Sequence, residues 1–220
     1  NVPFVKEYEL LFFDFDGALV DTVGDIAYYA NSVLKDYGCL EQPLENVKKA
    51  IGWGVHELLK ELGPEFQNDG KKVEEAVALF KKRYRENPVR FTKPFPGVEA
   101  MLAGPLGGVR KAIVTNKPQD ITEQILDRLN LSRHFEILIG MHNGYPAKPD
   151  PTSTKEVMGK MGILPSATVF IGDSQIDQET ARNAGIDFAF VDYGYDRVKT
   201  PPAYSFSSPA DWAKLPLVDG

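Results

Sequence analysis

The sequence predicts an α/β protein, in which a parallel sheet carries helices on both faces and a helical block is inserted after the first strand. Three observations carry that prediction. The run Leu10-Leu11-Phe12-Phe13 is continuously apolar, as suits a strand buried on both faces. From Thr22 to Asn87 the periodicity is helical, with no convincing strand. From Phe91 onward, short apolar runs alternate with helical segments of about 10–15 residues, the pattern of parallel strands joined by crossover helices.

Each element has its own signal. Leu10–Phe13 runs into Asp14-Phe15-Asp16-Gly17, where Gly17 suits a turn. A helix starts near Asp25 and stops at Gly38. Leu44–Ile51 is a short second helix, broken by Gly52-Trp53-Gly54. Val55–Leu62 is a third, stopped by Gly63-Pro64. Lys71–Glu86 is a fourth, with Val73, Val77, Phe80 and Tyr84 on one face. Next come a helix over Pro96–Ala103, a strand over Gly108–Asn116 and a helix over Pro118–Leu129. Phe135–Gly140 is a strand and Thr152–Met161 a helix. Ala167–Ser174 is a strand, Ile176–Ala184 a helix and Asp187–Val191 a strand. Tyr195–Ser208, with Pro201-Pro202, reads as a surface loop before a short last helix near Asp211–Leu215.

Composition narrows the function. At 220 residues the chain allows one domain with a large insertion, or two modest domains. Hydrophobic content of 43% and charged content of 25% permit a sizeable core. The 25 Lys+Arg against 31 Asp+Glu give a net charge of −6, which argues against nucleic-acid or membrane-surface binding. A local basic pocket for a small anion stays compatible with that balance. Cys39 is the sole cysteine, so the chain can form no internal disulfide and no thiolate zinc cluster. No signal peptide, lipidation motif or apolar span of about 18 residues is read in the sequence, and a reducing cytoplasm is the expected compartment.

The chemistry gathers at the ends of the expected strands. Strand alternation would point Asp14 and Asp16 the same way. Two carboxylates about 4 Å apart at an effective dielectric of 20 repel by roughly 4 kcal/mol. A bound cation would neutralise them, and Mg²⁺ suits an oxygen-only site. A strand ending in an Asp/Gly turn is the alternative for this stretch alone. Thr115-Asn116-Lys117 ends the second core strand, Lys148-Pro149-Asp150-Pro151 precedes a helix, and Gly172-Asp173-Ser174 ends another strand with Asp177 close behind. Singly, Thr115, Asp173, Ser174 and Asp177 could be helix caps or first-turn residues, and Lys148 a solvated loop lysine. Together, four carboxylates, a hydroxyl and a lysine on one sheet edge can hold a metal and a phosphoryl group.

This ordered set resembles the haloacid dehalogenase superfamily of phosphotransferases. The resemblance rests on DFDGALVD at Asp14–Asp21, IVTN at Ile113–Asn116, Lys148 in AKPDP, and GDSQID at Gly172–Asp177. Pro94-Phe95-Pro96-Gly97, Thr115-Asn116-Lys117-Pro118 and Ala181–Gly185 look more narrowly like its phosphoglycolate phosphatase-like branch. Ala18 departs from the usual Thr or Ser, and His142 with Asn143–Pro146 is also less typical.

The resemblance implies a Rossmann-like core over residues 1–19 and 91–220, with a small α-helical cap over 20–90. It implies Asp14 as nucleophile and Asp16 as general acid and then general base. Mg²⁺ would be held by the carboxylates of Asp14 and Asp173 and the backbone carbonyl of Asp16, with Asp177 acting through water. Thr115, the neighbouring backbone N–H of Asn116, and Lys148 would bind phosphoryl oxygens. On the cap, Gly52, Trp53, Gly54 and His56 are the expected substrate contacts, although a helix break with a core Trp reads nearly as well. Val55 stands where related sugar-phosphate mutases carry an arginine, which disfavours a mutase.

The implied activity is Mg²⁺-dependent hydrolysis of a small phosphorylated metabolite through an aspartyl-phosphate, by a monomer or homodimer. Phosphoglycolate is the first candidate; a nucleotide, a sugar phosphate or pyrophosphate are alternatives. A dehalogenase would need neither Asp16 nor a metal. A phospho-accepting signalling receiver would lack the cap and order these residues differently.

Overall fold

The computed structural model describes residues 6–218. In chain order its elements are β1 (Leu10–Phe13), β2 (Val20–Asp21), α1 (Val23–Asp36), α2 (Leu44–Ala50), α3 (Val55–Leu62), α4 (Gly70–Glu86) and β3 (Lys93–Pro94). Then follow α5 (Val98–Ala103), β4 (Arg110–Pro118), α6 (Gln119–Arg128), β5 (Ile137–Met141), α7 (Thr152–Met161), β6 (Thr168–Gly172), α8 (Gln175–Ala184), β7 (Asp187–Val191) and β8 (Tyr204–Phe206).

Six strands form one sheet in the order β5-β4-β1-β6-β7-β8. All of its pairings are parallel. β1 sits between β4 and β6, and all four of its residues are buried. Alternation along β1 divides the core. Leu11 and Phe13 join the apolar cluster that continues into the helical insertion, whereas Leu10 and Phe12 join the cluster on the opposite face. After β5 the chain returns past β1 to start β6, so the strand order reverses direction around β1. Ligands of open α/β sheets bind in the crevice at such a reversal, beyond the carboxyl ends of the strands.

The insertion runs from α1 to α4. It leaves and rejoins the sheet through β2 and β3, a two-stranded antiparallel ribbon that the sequence patterning did not reveal. Two-residue strands are too short to show alternation. Buried Asp25 ties this junction: its Oδ2 accepts from the N–H groups of Phe91 and Thr92 and from Thr92 Oγ1 at 2.6–3.0 Å. On the far side, Lys81 of α4 lies 2.6 Å from His142, and Arg85 pairs with Asp120 of α6.

One expectation is corrected. Tyr204–Phe206 lies within the stretch read as a surface loop, yet it pairs with β7 as the sheet's edge strand. Three residues soon after Pro201-Pro202 carry no readable period, but buried Phe206 anchors them. The last turn, Pro209–Lys214, is a 3-10 helix capped by Ser208 with Asp211, and it buries Trp212 against Phe13. Among the described residues no helix is long and apolar enough to cross a membrane.

Candidate active site

Three parallel strands deliver the site. β1 ends just before Asp14, β4 carries Thr115, Asn116 and Lys117 near its end, and β6 ends just before Asp173. The loop before α7 brings Lys148, and the first turn of α8 brings Asp177. All of these side chains are buried.

Asp14, Asp173 and Asp177 each place a carboxylate oxygen within 4.8 Å of the other two. Lys148 Nζ donates to Asp14 Oδ1 at 2.7 Å and to Asp177 Oδ1 at 2.6 Å. Asp177 Oδ2 accepts from the N–H and Oγ of Ser174, closing a capping box on α8. Tyr195 N–H donates to Asp173 Oδ2 at 2.5 Å. Gly17, at φ 91°, and Gly194 press against the Asp173 carboxylate so closely that a Cβ at either would collide with it.

The group is short of positive charge. Burial and then Asp177 push the Asp14 carboxyl up to about 7, against the pull of Lys148. Burial, then Asp14 and Asp177, push Asp173 well above the usual carboxylate range. Burial pulls Lys148 down, but Asp14 and Asp177 outweigh it and hold the ammonium above its ordinary value. Three carboxylates against one ammonium carry a formal charge of −2 when ionised. A divalent cation cancels it, and an all-oxygen donor set suits a hard one.

Asp16 lies apart from that cluster. The strand ends at Phe13, and Asp16 is not a member of the three-carboxylate group, although it stands near enough to add to the upward push on the Asp14 carboxyl. Asp16 Oδ1 instead accepts from Thr22 Oγ1 at 2.5 Å and from Lys117 Nζ at 3.0 Å. Thr22 precedes α1 but does not cap it with its hydroxyl. Neither Thr22 nor Lys117 had a role in the sequence reading. The available signal was Lys117 beside Thr115-Asn116, a cation at a strand end that faces carboxylates.

The chain belongs to the haloacid dehalogenase-like hydrolase family, whose profile matches residues 11–191. It is 36% identical over 209 residues to the phosphoglycolate phosphatase of Aquifex aeolicus, covering 94% of this chain and 95% of the relative. Phosphoglycolate phosphatase 1 of Pseudomonas aeruginosa is 35% identical over 192 residues, covering 85% and 70%. A crystal structure from Haemophilus somnus, described as a predicted phosphoglycolate phosphatase, superposes with a TM-score of 0.86 at 29% identity, covering 94% and 97%. The protein is a phosphatase of this family.

In this phosphatase Thr115 lines the pocket; its hydroxyl accepts from Lys117 N–H, which leaves its own proton for a ligand. The Asn116 side chain is already engaged. It donates to the carbonyls of Gly52 and Lys148 and accepts from Lys148 N–H, so it braces the lysine loop against the insertion. Gly52, Gly54 and Val55 line the pocket, whereas Trp53 and His56 are not brought into it. Trp53 is 53% exposed and lies beside Glu57 and Lys60 on the outer surface. His56 contacts Glu57 and Glu74. The cause is the pitch of α3, which buries Val55, Leu58, Leu59 and Leu62 and turns position 56 outward. Ala18 is buried in the core cluster, and its carbonyl accepts from Tyr193. His142 reaches Lys81 of α4 at 2.6 Å and does not line the pocket.

Proposed function

We propose that this phosphatase hydrolyses a small phosphomonoester by way of an aspartyl-phosphate on Asp14, with Mg²⁺ as cofactor and phosphoglycolate as first substrate candidate. The observation that carries the reading is the buried group of Asp14, Asp173, Asp177 and Lys148 at the strand ends. The phosphoglycolate phosphatases among its relatives support the substrate.

Asp14 attacks phosphorus with the oxygen that Lys148 leaves free, and the P–O bond to the leaving group breaks. Asp16 gives the leaving oxygen a proton, then takes one from the water that cleaves the acyl phosphate. Lys148, the Thr115 hydroxyl and the Asn116 backbone N–H hold the phosphoryl oxygens. The carboxylates of Asp14 and Asp173 and the Asp16 carbonyl would hold Mg²⁺, with Asp177 behind them through water. When bound, the ion supplies positive charge that offsets the negative charge of the phosphoryl oxygens and the three carboxylates. Residues 20–90 act as the cap: their apolar pocket wall excludes water and selects the leaving group.

The test is phosphate release from a panel of phosphorylated metabolites by purified protein in Mg²⁺. Phosphoglycolate turned over at the highest kcat/KM supports the reading. A preferred sugar phosphate or nucleotide overturns the substrate, and no phosphate release from any ester overturns the mechanism.

A further inference from the structure

Thr22 stands at the entry to α1 without acting as its cap. Its backbone lies at φ −106° and ψ −3°, where a capping residue is ordinarily extended, and its hydroxyl makes no bond to α1. That hydroxyl donates to Asp16 Oδ1 at 2.5 Å instead. Thr22 is fully buried, and the first N–H groups of a helix have no partner within it. Without outside help this end of α1 would bury an unpaired donor, which folded proteins avoid.

Tyr195, on the loop after β7, supplies the acceptor. Its Oη accepts from Thr22 N–H at 2.7 Å and from Val23 N–H at 3.1 Å. Val23 N–H also reaches Asp21 Oδ1, at a longer 3.4 Å. The phenol donates its own proton to Asp21 Oδ1 at 2.7 Å. Its one donor and two acceptor sites are thus all in use, and the bond to Asp21 turns the oxygen's lone pairs toward the helix end. The backbone N–H of the same residue holds Asp173 Oδ2 at 2.5 Å, and Tyr195 lines the pocket. One residue therefore touches both a carboxylate of the buried acidic group and the peptide that aims a donor at Asp16.

We propose that Tyr195 is a positioning residue for the proton-transfer carboxylate: its hydroxyl fixes the Thr22 peptide, and Thr22 Oγ1 then holds Asp16 toward the leaving oxygen. This rests on the phosphatase reading, in which Asp16 protonates that oxygen. The bonds from Thr22 and Lys117 both fall on Asp16 Oδ1, which leaves Oδ2 to face the leaving group. Two donors from different directions fix the carboxylate's orientation. Lys117 alone, a point charge on a flexible four-carbon stem, would let it swing. Without the phenol, Thr22 is free to take the extended conformation of an ordinary cap, and its hydroxyl then serves α1 rather than Asp16. Because Thr22 opens the insertion and Tyr195 follows β7, the same bonds tie the insertion's entry to the sheet.

The experiment measures kcat/KM, which reports the step in which the leaving group departs, for ethyl phosphate and p-nitrophenyl phosphate in Mg²⁺. Wild type, Tyr195→Phe, Thr22→Val and the double variant are compared. Only the alkoxide needs a proton as it leaves. Tyr195→Phe should therefore lower kcat/KM for ethyl phosphate about tenfold more than for p-nitrophenyl phosphate, the worth of one hydrogen bond. Thr22→Val should do the same, and the double variant should be no worse than the larger single effect. A second readout, in chelator, needs no turnover: amide exchange at Thr22 and Val23 should quicken about tenfold in Tyr195→Phe. Equal slowing of both esters by Tyr195→Phe, effects that multiply in the double variant, or unchanged exchange each overturn the proposal and leave Tyr195 as a support for Asp173 alone. Should Tyr195→Phe fail to fold, Asp21→Ala decides. It removes an exposed side chain that orients the phenol, and should move the ratio of the two esters about threefold in the same direction; an unmoved ratio overturns the proposal. A wild type that hydrolyses esters while these ratios stay flat leaves the phosphatase reading standing. A wild type that releases phosphate from no ester overturns both.

Discussion

Asp14→Asn should raise the stability of the metal-free protein at neutral pH while abolishing turnover. The substitution keeps the shape and removes one of three clustered charges. Asp14 is pushed from 3.8 to about 7, a displacement worth on the order of 4 kcal/mol between its protonation states. The folded pKa lies above the unfolded one, so the folded state holds the proton more tightly. No penalty exists below about pH 4; it builds as pH rises towards 7 and then levels off. Wild type in excess chelator should therefore lose stability across that interval, and Asp14→Asn should lose much less. Asp173, itself pushed up in part by Asp14, relaxes in the same variant, so both effects have one sign. Lys148 is not orphaned, because Asp177 remains its partner. Urea unfolding in chelator at about pH 4.5 and about pH 8 measures this, and the variant should gain up to about 4 kcal/mol over wild type between the two. Adding Mg²⁺ should stabilise wild type more than the variant. A variant less stable than wild type by the same margin at both pH values would refute the reasoning. The Asp14–Lys148 pair would then be net favourable, and crowding of carboxylates would not be what the metal relieves.

Four further outcomes are expected. Chelator should abolish phosphatase activity and Mg²⁺ restore it, with Ca²⁺ restoring little because of its looser shell; full activity in excess chelator would remove the metal from the mechanism. Asp16→Asn should give a nitrophenolate burst of about one equivalent per site from p-nitrophenyl phosphate and none from an alkyl phosphate, since only the alkoxide needs a proton; rapid-quench kinetics showing equal slowing and no burst would take the acid–base role from Asp16. Asp25→Ala strips three donors of their buried acceptor at the junction and should cost about 3 kcal/mol or more in urea unfolding; a loss near zero would mean the junction is not tied there. Trp53→Ala should leave kcat/KM within about twofold, as for a surface change away from a site; a large rise in KM would return Trp53 to the substrate contacts.

The parts of the fold legible in sequence were those with a period longer than a turn. The apolar run of β1, the alternation of strand and helix after Phe91, and the i, i+4 face of α4 each report burial directly. β2, β3 and β8 were not legible, because strands of two or three residues owe their existence to a neighbour rather than to their own pattern. At the site, residues sharing a motif were legible as a group, since strand ends bring Asp14, Thr115 and Asp173 to one edge whatever their side chains do. What sequence could not supply was direction. Asp14 and Asp16 stand two apart, yet one joins Lys148 and the other Lys117, because both lie past the strand's end at Phe13 and Gly17 turns the chain. Trp53 and His56 flank residues that do line the pocket; the pitch of α3 turns His56 away, and Trp53, in the turn before α3, lies exposed on the surface.

That division of direction creates two charge groups with different needs. Asp14, Asp173 and Asp177 share one ammonium, Lys148, and when all three are ionised they stand two negative charges in surplus. Asp16 has Lys117 to itself, with Thr22 as a second donor, and is balanced. On the proposed mechanism, the first group takes up a cation before a phosphoryl dianion approaches. The second needs none. Metal dependence and leaving-group choice should therefore separate by mutation. Changes at Asp173 should alter the Mg²⁺ requirement with every ester, whereas Asp16→Asn, which keeps the backbone carbonyl, should alter mainly how the rate depends on leaving-group basicity. An Asp16→Asn protein whose Mg²⁺ requirement shifted as much as its leaving-group dependence would show that the two groups act as one.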